Sequence, residues 1–332
     1  MTEVSAVSAT QSLMRAVRHT ATGIEVQQVP EGERDGLAVV HVVSSGICGS
    51  DLHMMEWGAL PFTLGHEVGG HLDDGTPVTV WPLVPCGTCD RCLANEPQQC
   101  RTGNSRIYGV GPEGGLADRI LVDPRNVVPL PGGLTERDAC LVEPIACSVH
   151  ALRRAGVTAS DRVAVVGAGS IGLGAVSVAR FFGCRVDVSA RHERQRAAAA
   201  SLGAGEPIEG IDYDVVVDAA GTTGSIAKSF ELLRPGGALV VVSSQWEPVQ
   251  FPMFFASKEA VVVTATMHGP GTSISDPASG TTDMQESARL LAAMPEVAGA
   301  MITHRFPLDQ APKAFATAAD RSSGAIKVVL EP

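Results

Sequence analysis

The sequence predicts an α/β protein in two parts, a mostly-β region with irregular loops followed by a parallel, doubly wound sheet. Three observations carry that prediction. Short β-branched runs separated by Gly/Pro-rich turns fill the stretch from Val17 to Pro131, and from Leu141 onward apolar strands alternate with Ala-rich helical segments. A Gly-x-Gly-x-x-Gly turn at 167–172 then sits between one such strand and the next helix. The 332 residues, at roughly 100 to 200 per domain, suit two cores. Hydrophobic residues at 45%, charged residues at 18%, 36 glycines and 21 prolines describe a globular, loop-rich chain rather than a disordered one.

A net charge of −11 would repel nucleic acid and anionic lipid, so neither a nucleic-acid nor a membrane partner is expected. The stretch MTEVSAVSATQSLMR lacks the basic start and apolar run of a secretory signal, and no eighteen apolar residues run uninterrupted. The expectation is a soluble, cytoplasmic protein. Residues 1–13, rich in Ser, Thr and Ala and without periodicity, are expected to form a disordered tail.

Taken in order, strands are expected at Leu37–Val43, Val78–Val80 and Arg119–Val122, and LVEPIACSVHALRRAG has helical spacing. RVAVVGAGSIG, CRVDVSA, YDVVVDAAG, GALVVVSS and AVVVTAT then supply the strands of the parallel sheet. The final stretch from Ile302 reads as strand, short helix and strand, able to return to the first region.

The turn Gly167-Ala168-Gly169-Ser170-Ile171-Gly172 follows the apolar strand Val163–Val166 and opens a helix expected over Leu173–Phe181. The first Gly permits the tight turn, the second a close approach to a pyrophosphate, and the third tight helix–strand packing, with the phosphates at the positive helix end. Gly167, Gly169, Ser170, Ile171 and Gly172 are therefore the dinucleotide candidates. The next strand, Arg185–Ala190, ends in Ser189-Ala190-Arg191 with Arg194 one turn on, where an acidic residue would bind the ribose of NAD. A hydroxyl and two guanidinium groups suit a 2′-phosphate, which predicts NADP over NAD. The alternative is that Arg191 and Arg194 are the solvated face of a helix. Asp187, mid-strand between two valines, reads as structural.

Four of the eight cysteines, Cys86, Cys89, Cys92 and Cys100, fall within fifteen residues, and four thiolates so spaced can close a tetrahedral zinc shell. Such a shell has no open position and would fix a loop that has little core of its own. A redox or disulfide role is less favoured, because a single C-x2-C pair suffices for redox chemistry. A second, dispersed set comprises Cys48 in GICGSDLH, His66-Glu67 in LGHEVGG and Glu143 in LVEPIACSVH. One thiolate, one imidazole and one or two carboxylates can hold a zinc with a position open to substrate. Singly, such residues are more often a buried small side chain or a surface hydrogen bond.

In the order GICGSDLH, GHEVGG, CGTCDRC with its later Cys100, VEPIACSVHAL, GAGSIG and GAIKVVLEP, the sequence resembles the zinc-dependent medium-chain alcohol dehydrogenases over nearly its whole length after the tail. The resemblance implies a GroES-like, mostly-β catalytic domain at 14–150 completed by 291–332, a Rossmann dinucleotide-binding domain at 151–290, and an active site in the cleft between them. It further implies a catalytic zinc on Cys48 and His66, with Glu67 and Glu143 completing the shell directly or through water, and a structural zinc on the four-cysteine loop. Ser50 would take the substrate hydroxyl proton, His53 would relay it to solvent, and Asp51 would orient His66. The ligand set looks like the polyol and threonine dehydrogenase branch. The implied reaction is hydride transfer between a secondary alcohol of a polyol, sugar or cyclitol-like small molecule and NADP. A simple aliphatic or aromatic alcohol dehydrogenase or aldehyde reductase is the alternative enzyme. A non-catalytic dinucleotide-binding protein and a zinc-free quinone or enone reductase are weaker alternatives. Homodimers or homotetramers pairing edge strands are implied, with Ala260–Thr266 as the candidate edge.

Two departures from the family stand out: only HLDDGTPVT separates Gly70 from Val80, which trims an expected hairpin, and Ala190 stands where NAD-using members carry an acid. Met54, Met55 and Trp57 are candidates for the pocket lining, although such a cluster is more often core. Gly111–Gly115 and the loop following Gly269 are candidates for pocket or lid, and His150, His268 and His304 have no partner that the sequence identifies.

Overall fold

The computed structural model describes residues 12–102, 106–207, 212–244, 248–253, 255–269, 281–320 and 322–332. Most of the expected tail and of the loop after Gly269 lie outside the described residues, while Leu13, expected in the tail, opens the first strand.

Strands β1 (Leu13–Thr20) and β2 (Gly23–Pro30) form an antiparallel hairpin. β3 (Ala38–Gly46) leads through helix α1 (Gly49–Met54) to β4 (Glu67–His71) and β5 (Pro77–Val80). Beyond α2 (Asp90–Leu93), β6 (Arg119–Val122) and β7 (Val127–Pro129) complete this stretch. β3 is buried along most of its length because it pairs with β4, with β6 and with the last strand of the chain. The shortened connection after Gly70 is a tight turn, closed by the Leu72 amide on the Thr76 carbonyl at 3.0 Å.

Helix α3 (Val142–Arg154) opens the second half. There follow β8 (Arg162–Val166), α4 (Ser170–Phe181), β9 (Arg185–Ser189), α5 (Glu193–Ser201), β10 (Tyr213–Asp218), α6 (Thr223–Leu232), β11 (Leu233–Val241) and β12 (Val261–Thr264). All five strands are parallel, in the order β12-β11-β10-β8-β9, and the neighbouring sixth position holds a single bridge between Asp187 and Gly205. β8 is apolar after Arg162 because both its faces are covered. Val163 and Val165 face a core built with α3 and α4, while Ala164 and Val166 face one that includes Ile226 of α6. The strand order reverses between β8 and β10, so a crevice opens at their carboxyl ends, beside Gly167. β12 is the open edge, with Val261 58% and Val262 40% exposed.

The chain ends with α7 (Asp283–Ala293), α8 (Glu296–Met301), β13 (Ile302–Pro307), α9 (Ala311–Ala319) and β14 (Lys327–Glu331). β14 inserts between β13 and β3, which returns the C-terminal segment to a seven-stranded sheet with β3–β7. Among α9, β14 and the residues near α1, Phe315, Leu330, Met54 and Leu64 share one core. Met54 is therefore core rather than pocket lining, and Trp57 is 67% exposed. Position 150 falls inside α3, whose buried face packs with α4 and α7.

A buried polar knot fastens α3 to α7. Asp283 accepts from His150 Nδ1 (2.9 Å), Arg153 Nη1 (2.8 Å) and the Gly269 amide (2.7 Å), and Arg153 also reaches the Thr281 carbonyl at 3.2 Å. Burial opposes the charge on Asp283, but these donors outweigh it, led by His150, and hold the carboxyl below its ordinary value. A depressed folded value means that the contribution to stability is present above about pH 3.9 and is lost as pH falls through the folded value. Asp283→Asn should therefore lose less stability than wild type between pH 6 and pH 3 in urea titrations. Equal losses in the two proteins would show that Asp283 does not set the acid sensitivity. Asp283→Ala, which leaves the buried Arg153 only its longer contact with Glu286 at 3.6 Å and the Thr281 carbonyl, should cost about 3 kcal/mol.

Candidate active site

The four-cysteine loop lies between β5 and β6 as a lobe with little packing of its own: none of its described residues from 84 to 106 belongs to the buried hydrophobic set, and Leu93 is 76% exposed. Cys89 caps α2, Cys92 lies within it, and Cys100 follows a short turn at Pro97–Gln99. Their sulfurs are 3.5 Å (Cys89–Cys92) and 3.9 Å apart (Cys86–Cys92 and Cys89–Cys100). A tetrahedral zinc with bonds of about 2.3 Å needs sulfurs about 3.8 Å apart, so the set could hold one without rearrangement. Backbone amides already face the thiolates, Cys89 on Cys86 and Cys86 on Cys100, both at 3.3 Å. The Cys86 amide, with the Thr102 hydroxyl, brings the Cys100 thiol down to about 6.

The second cluster is assembled from two strand ends. Cys48 stands at the N-terminus of α1 just beyond β3, and His66 and Glu67 lie at the start of β4, so the pairing of β3 with β4 brings them together. Their ligand atoms lie within 4.8 Å of one another. Asp51 accepts from the Cys48 amide at 2.9 Å through Oδ2, while its Oδ1 lies 3.7 Å from His66 Nδ1. Both of these latter atoms are buried without a hydrogen-bond partner. Nε2 of His66 faces Ser50 Oγ at 3.5 Å, and His53, three residues on in α1, is partly exposed beside Glu56 at 3.6 Å. Ser50 and His53 thus sit on one face of the helix between the buried imidazole and solvent.

Burial raises Asp51 and Glu67 above their ordinary values, and Glu143 adds to the negative charge around both. A divalent cation on Cys48 and His66 would offset that surplus, and Asp51 stands where a carboxylate orients a metal-bound imidazole. The residues therefore fit a catalytic metal.

The two carboxylates expected to complete the shell are both engaged. Lys327, at the start of β14, donates to Glu67 Oε1 (2.6 Å) and Oε2 (2.7 Å) and to the Ile47 carbonyl (3.2 Å), all buried. Gly46 makes room for this arrangement, since a Cβ there would stand 2.0 Å from Glu67 Oε2. Glu67 holds Lys327 in its charged form, above the usual range, despite burial. Glu143, in the first turn of α3, groups instead with Cys147 and His268. Its Oε1 lies 3.1 Å from His268 Nε2 and 3.7 Å from Cys147 Sγ, and Trp81 Nε1 donates to His268 Nδ1 at 3.0 Å. Burial works against the Glu143 charge, but the His268 hydrogen bond brings the carboxyl below its ordinary value. Sequence reasoning misses Lys327, Cys147, His268 and Trp81 as site residues. Lys327 alone leaves a signal, a lysine inside the apolar strand IKVVLE.

At the dinucleotide turn, Gly167 takes φ +100° and its amide donates to the Ser189 carbonyl at 2.9 Å. A Cβ at Gly172 would stand 1.9 Å from the Gly167 carbonyl oxygen, so only glycine lets helix and turn meet. α4 begins at Ser170, three residues earlier than the spacing suggests, with Gly169 as an N-cap that has no side chain to occupy the helix end. This turn could cradle a pyrophosphate against the amides of Ser170 and Ile171. Ser189 ends β9, and Arg191 and Arg194 are exposed beyond it. Arg194 lies against Gly324, where a Cβ would stand 3.0 Å from its Cδ. Asp187 accepts from the Tyr213 hydroxyl at 2.6 Å. Arg196, a further residue of this turn, donates to the carbonyls of Ala190 (3.1 Å) and Arg191 (3.0 Å).

Comparison with known proteins follows the same division. Residues 34–132 match the alcohol dehydrogenase GroES-like domain, and residues 170–276 match the zinc-binding dehydrogenase family. The chain is 31% identical over 306 residues to the L-galactonate-5-dehydrogenase of Escherichia coli K12, covering 82% of this chain and 85% of that protein. It is 29% identical over 248 residues to the galactitol 1-phosphate 5-dehydrogenase of the same organism, covering 65% and 70%. Among solved structures, a presumptive zinc-binding dehydrogenase of Sinorhizobium meliloti 1021 bound to NADP superposes with a TM-score of 0.84 at 29% identity, over 97% of this chain and all of the other.

The Lys327–Glu67 pair can be separated from the rest of the site by a double-mutant cycle. Lys327→Met leaves a buried carboxylate without its cation and should lose about 3–5 kcal/mol in denaturant titrations. Lys327→Met combined with Glu67→Gln should recover most of that loss, because no uncompensated charge remains. Equal losses in the single and double variants would mean that the lysine stabilises by packing and not by charge.

Proposed function

This chain belongs to the zinc-binding dehydrogenases with a GroES-like domain, and from that membership we propose that it oxidises or forms a secondary alcohol of a polyol, sugar or cyclitol-like molecule with NADP as the preferred cofactor. The observation that carries the proposal is the convergence of Cys48 and Ser50 on the buried His66, at the junction of β3 and α1 with β4. In this reading Cys48 and His66 hold the catalytic zinc, Glu67 and Glu143 complete its surroundings directly or through water, and Cys86, Cys89, Cys92 and Cys100 hold a second, structural zinc. When bound, the catalytic zinc supplies Lewis acidity to the substrate oxygen and the nicotinamide supplies the hydride acceptor.

The chain's own residues then divide the remaining tasks. Asp51 keeps the His66 ring turned so that Nε2 faces the site. Ser50 Oγ takes the proton of the substrate hydroxyl, and His53, at the exposed end of the same helix, carries it to solvent. Gly167, Gly169, Ser170, Ile171 and Gly172 hold the pyrophosphate. Ser189, Arg191 and Arg194 take the 2′-phosphate, and the carboxylate of β9, Asp187, is engaged by the Tyr213 hydroxyl. The dehydrogenases of galactonate and galactitol phosphate among the relatives support a polyhydroxylated substrate, and the NADP bound to the Sinorhizobium meliloti protein supports the cofactor.

A turnover panel of polyols, sugars, aminocyclitols and simple alcohols, run with NADP and NAD in parallel, should give activity on a polyhydroxylated substrate. Cys48→Ser should abolish that activity and lower bound zinc from two per chain to one. If the variant keeps both the second zinc and turnover, the catalytic assignment is wrong, and turnover of simple alcohols alone would favour the alternative enzyme. Arg191→Ser with Arg194→Ser should raise the KM for NADP roughly ten- to a hundredfold, the loss of a charged hydrogen bond or two, and leave NAD unaffected. A wild-type preference for NAD would overturn the cofactor assignment.

The exposed β12 edge further supports pairing between two copies of the chain. Val261→Lys should convert a sedimenting dimer or tetramer into smaller species. A monomeric wild-type protein would remove this part of the proposal.

A further inference from the structure

Beside the Cys48–His66 cluster lies a second trio, the buried Glu143 and His268 with the half-buried Cys147, whose ligand atoms also fall within 4.8 Å of one another. By composition it duplicates the first, one thiolate, one imidazole and one carboxylate, and so suggests a second cleft metal. The hydrogen bonding around His268 argues against that reading. The indole N–H of Trp81 is a donor only, and it points at His268 Nδ1 at 3.0 Å. Nδ1 must therefore accept, which puts the proton of the neutral ring on Nε2. That is the atom 3.1 Å from Glu143 Oε1, so it donates to the carboxylate and has no lone pair for a metal.

We propose instead that Trp81 and His268 are positioning residues that fix the Glu143 carboxylate at the metal centre. The inference rests on the catalytic-zinc reading given above. The indole sets the tautomer, and the imidazole N–H holds Oε1. The His268 and Cys147 contacts both fall on Oε1, which leaves Oε2 as the oxygen free to face the metal or a water upon it.

The backbone at His268 is built to keep the ring in this place. Met267 adopts φ +55°, a left-handed conformation that a non-glycine residue keeps only when its surroundings enforce it. Those surroundings are visible on the far side of His268. The Gly269 amide donates to the buried Asp283 at 2.7 Å, the Asp283 amide returns a bond to the Gly269 carbonyl at 3.2 Å, and the Gln98 side chain closes against Gly269. His268 itself is fully buried. A ring that only filled space would need neither the strained residue before it nor the double clamp after it.

The test uses the full-length zinc-loaded enzyme and its Trp81→Phe, His268→Leu and His268→Gln variants. Equilibrium dialysis against a zinc chelator reads the affinity of each zinc, and the visible absorption of cobalt(II) substituted at the catalytic site reads its coordination. In Trp81→Phe and His268→Leu the catalytic zinc should be held ten- to a hundredfold more weakly, with a shifted cobalt spectrum. The four-cysteine zinc and NADP affinity should stay as in wild type. His268→Gln, whose amide can accept from the indole and donate to Glu143, should recover most of the loss. In ¹⁵N-histidine spectra, wild-type His268 should be the Nε2–H tautomer, and Trp81→Phe should release that preference.

Unchanged zinc affinity and cobalt spectrum in both Trp81→Phe and His268→Leu would overturn the proposal. So would a third metal per chain that His268→Leu removes, since His268 would then be a ligand. A wild-type chain that holds zinc only at the four cysteines would instead defeat the catalytic-zinc reading itself.

Discussion

Three carboxylates, Asp51, Glu67 and Glu143, are taken out of water in one small volume, and the arrangement of the chain around them follows from the need to offset that charge. An isolated buried carboxylate costs several kcal/mol, so each has drawn in a donor from elsewhere. Asp51 is turned toward the Cys48 amide and the His66 ring, Glu67 toward Lys327, and Glu143 toward His268. The partners of Glu67 and Glu143 come from β14 and from the segment after β12, far along the chain. The return of the C-terminal strand to β3 is thus both a packing event and an electrostatic one: without β14, Glu67 would face the core with no cation.

The same need links the two halves of the molecule. Glu143 belongs to α3, whose buried face packs with the helices of the parallel sheet, while Cys48 and His66 lie at the ends of β3 and β4 in the seven-stranded sheet. The site therefore lies where the two sheets' elements meet. The dinucleotide turn stands at the strand-order reversal, and Ser148 of α3 donates to the Ile171 carbonyl in the first turn of α4 at 3.1 Å. α3 thus carries a carboxylate for one site near its first turn and a tie to the other one turn later. An error in the seating of α3 would disturb both.

What can be read from the sequence is local in the chain. The glycine turn at 167–172 and the four cysteines each lie within fifteen residues, and their geometry follows from spacing, so both are legible in the amino-acid order alone. The central strands of the parallel sheet, β8, β10 and β11, are equally legible, because burial on both faces writes apolar runs such as VAVV, VVV and ALVV. Element ends are less so: α4 starts at Ser170 because Gly169 serves as a cap with no side-chain signature. Met54 is ambiguous between core and pocket by residue type, and packing with Leu64 and Phe315 decides for core. The pairings that define the candidate catalytic cluster are the least legible. Lys327 lies 260 residues from Glu67, and His268 lies 125 from Glu143. No periodicity connects residues so far apart. The lysine inside an apolar strand shows that some buried acid has to exist, but not which one.

The four-cysteine lobe is tied into the same set of supports. Its described residues contribute no buried hydrophobic side chain, so beyond ion pairs such as Arg91 with Glu96 the proposed zinc would be what holds it folded. Its base is held to the sheet by a bridge between Leu83 and Ile107, and Asn126 donates to the carbonyls of both Trp81 and Leu83, the latter at 2.6 Å. Its Gln98 side chain rests on Gly269. Trp81 and Gly269 are the two residues that flank His268, one through its indole and one through the backbone. The lobe thus reaches the backbone beside His268 through Gln98, while Trp81, just before the lobe, holds the ring, so the proposed four-cysteine zinc would be linked to the proposed catalytic centre through Gln98, Gly269, His268 and Glu143.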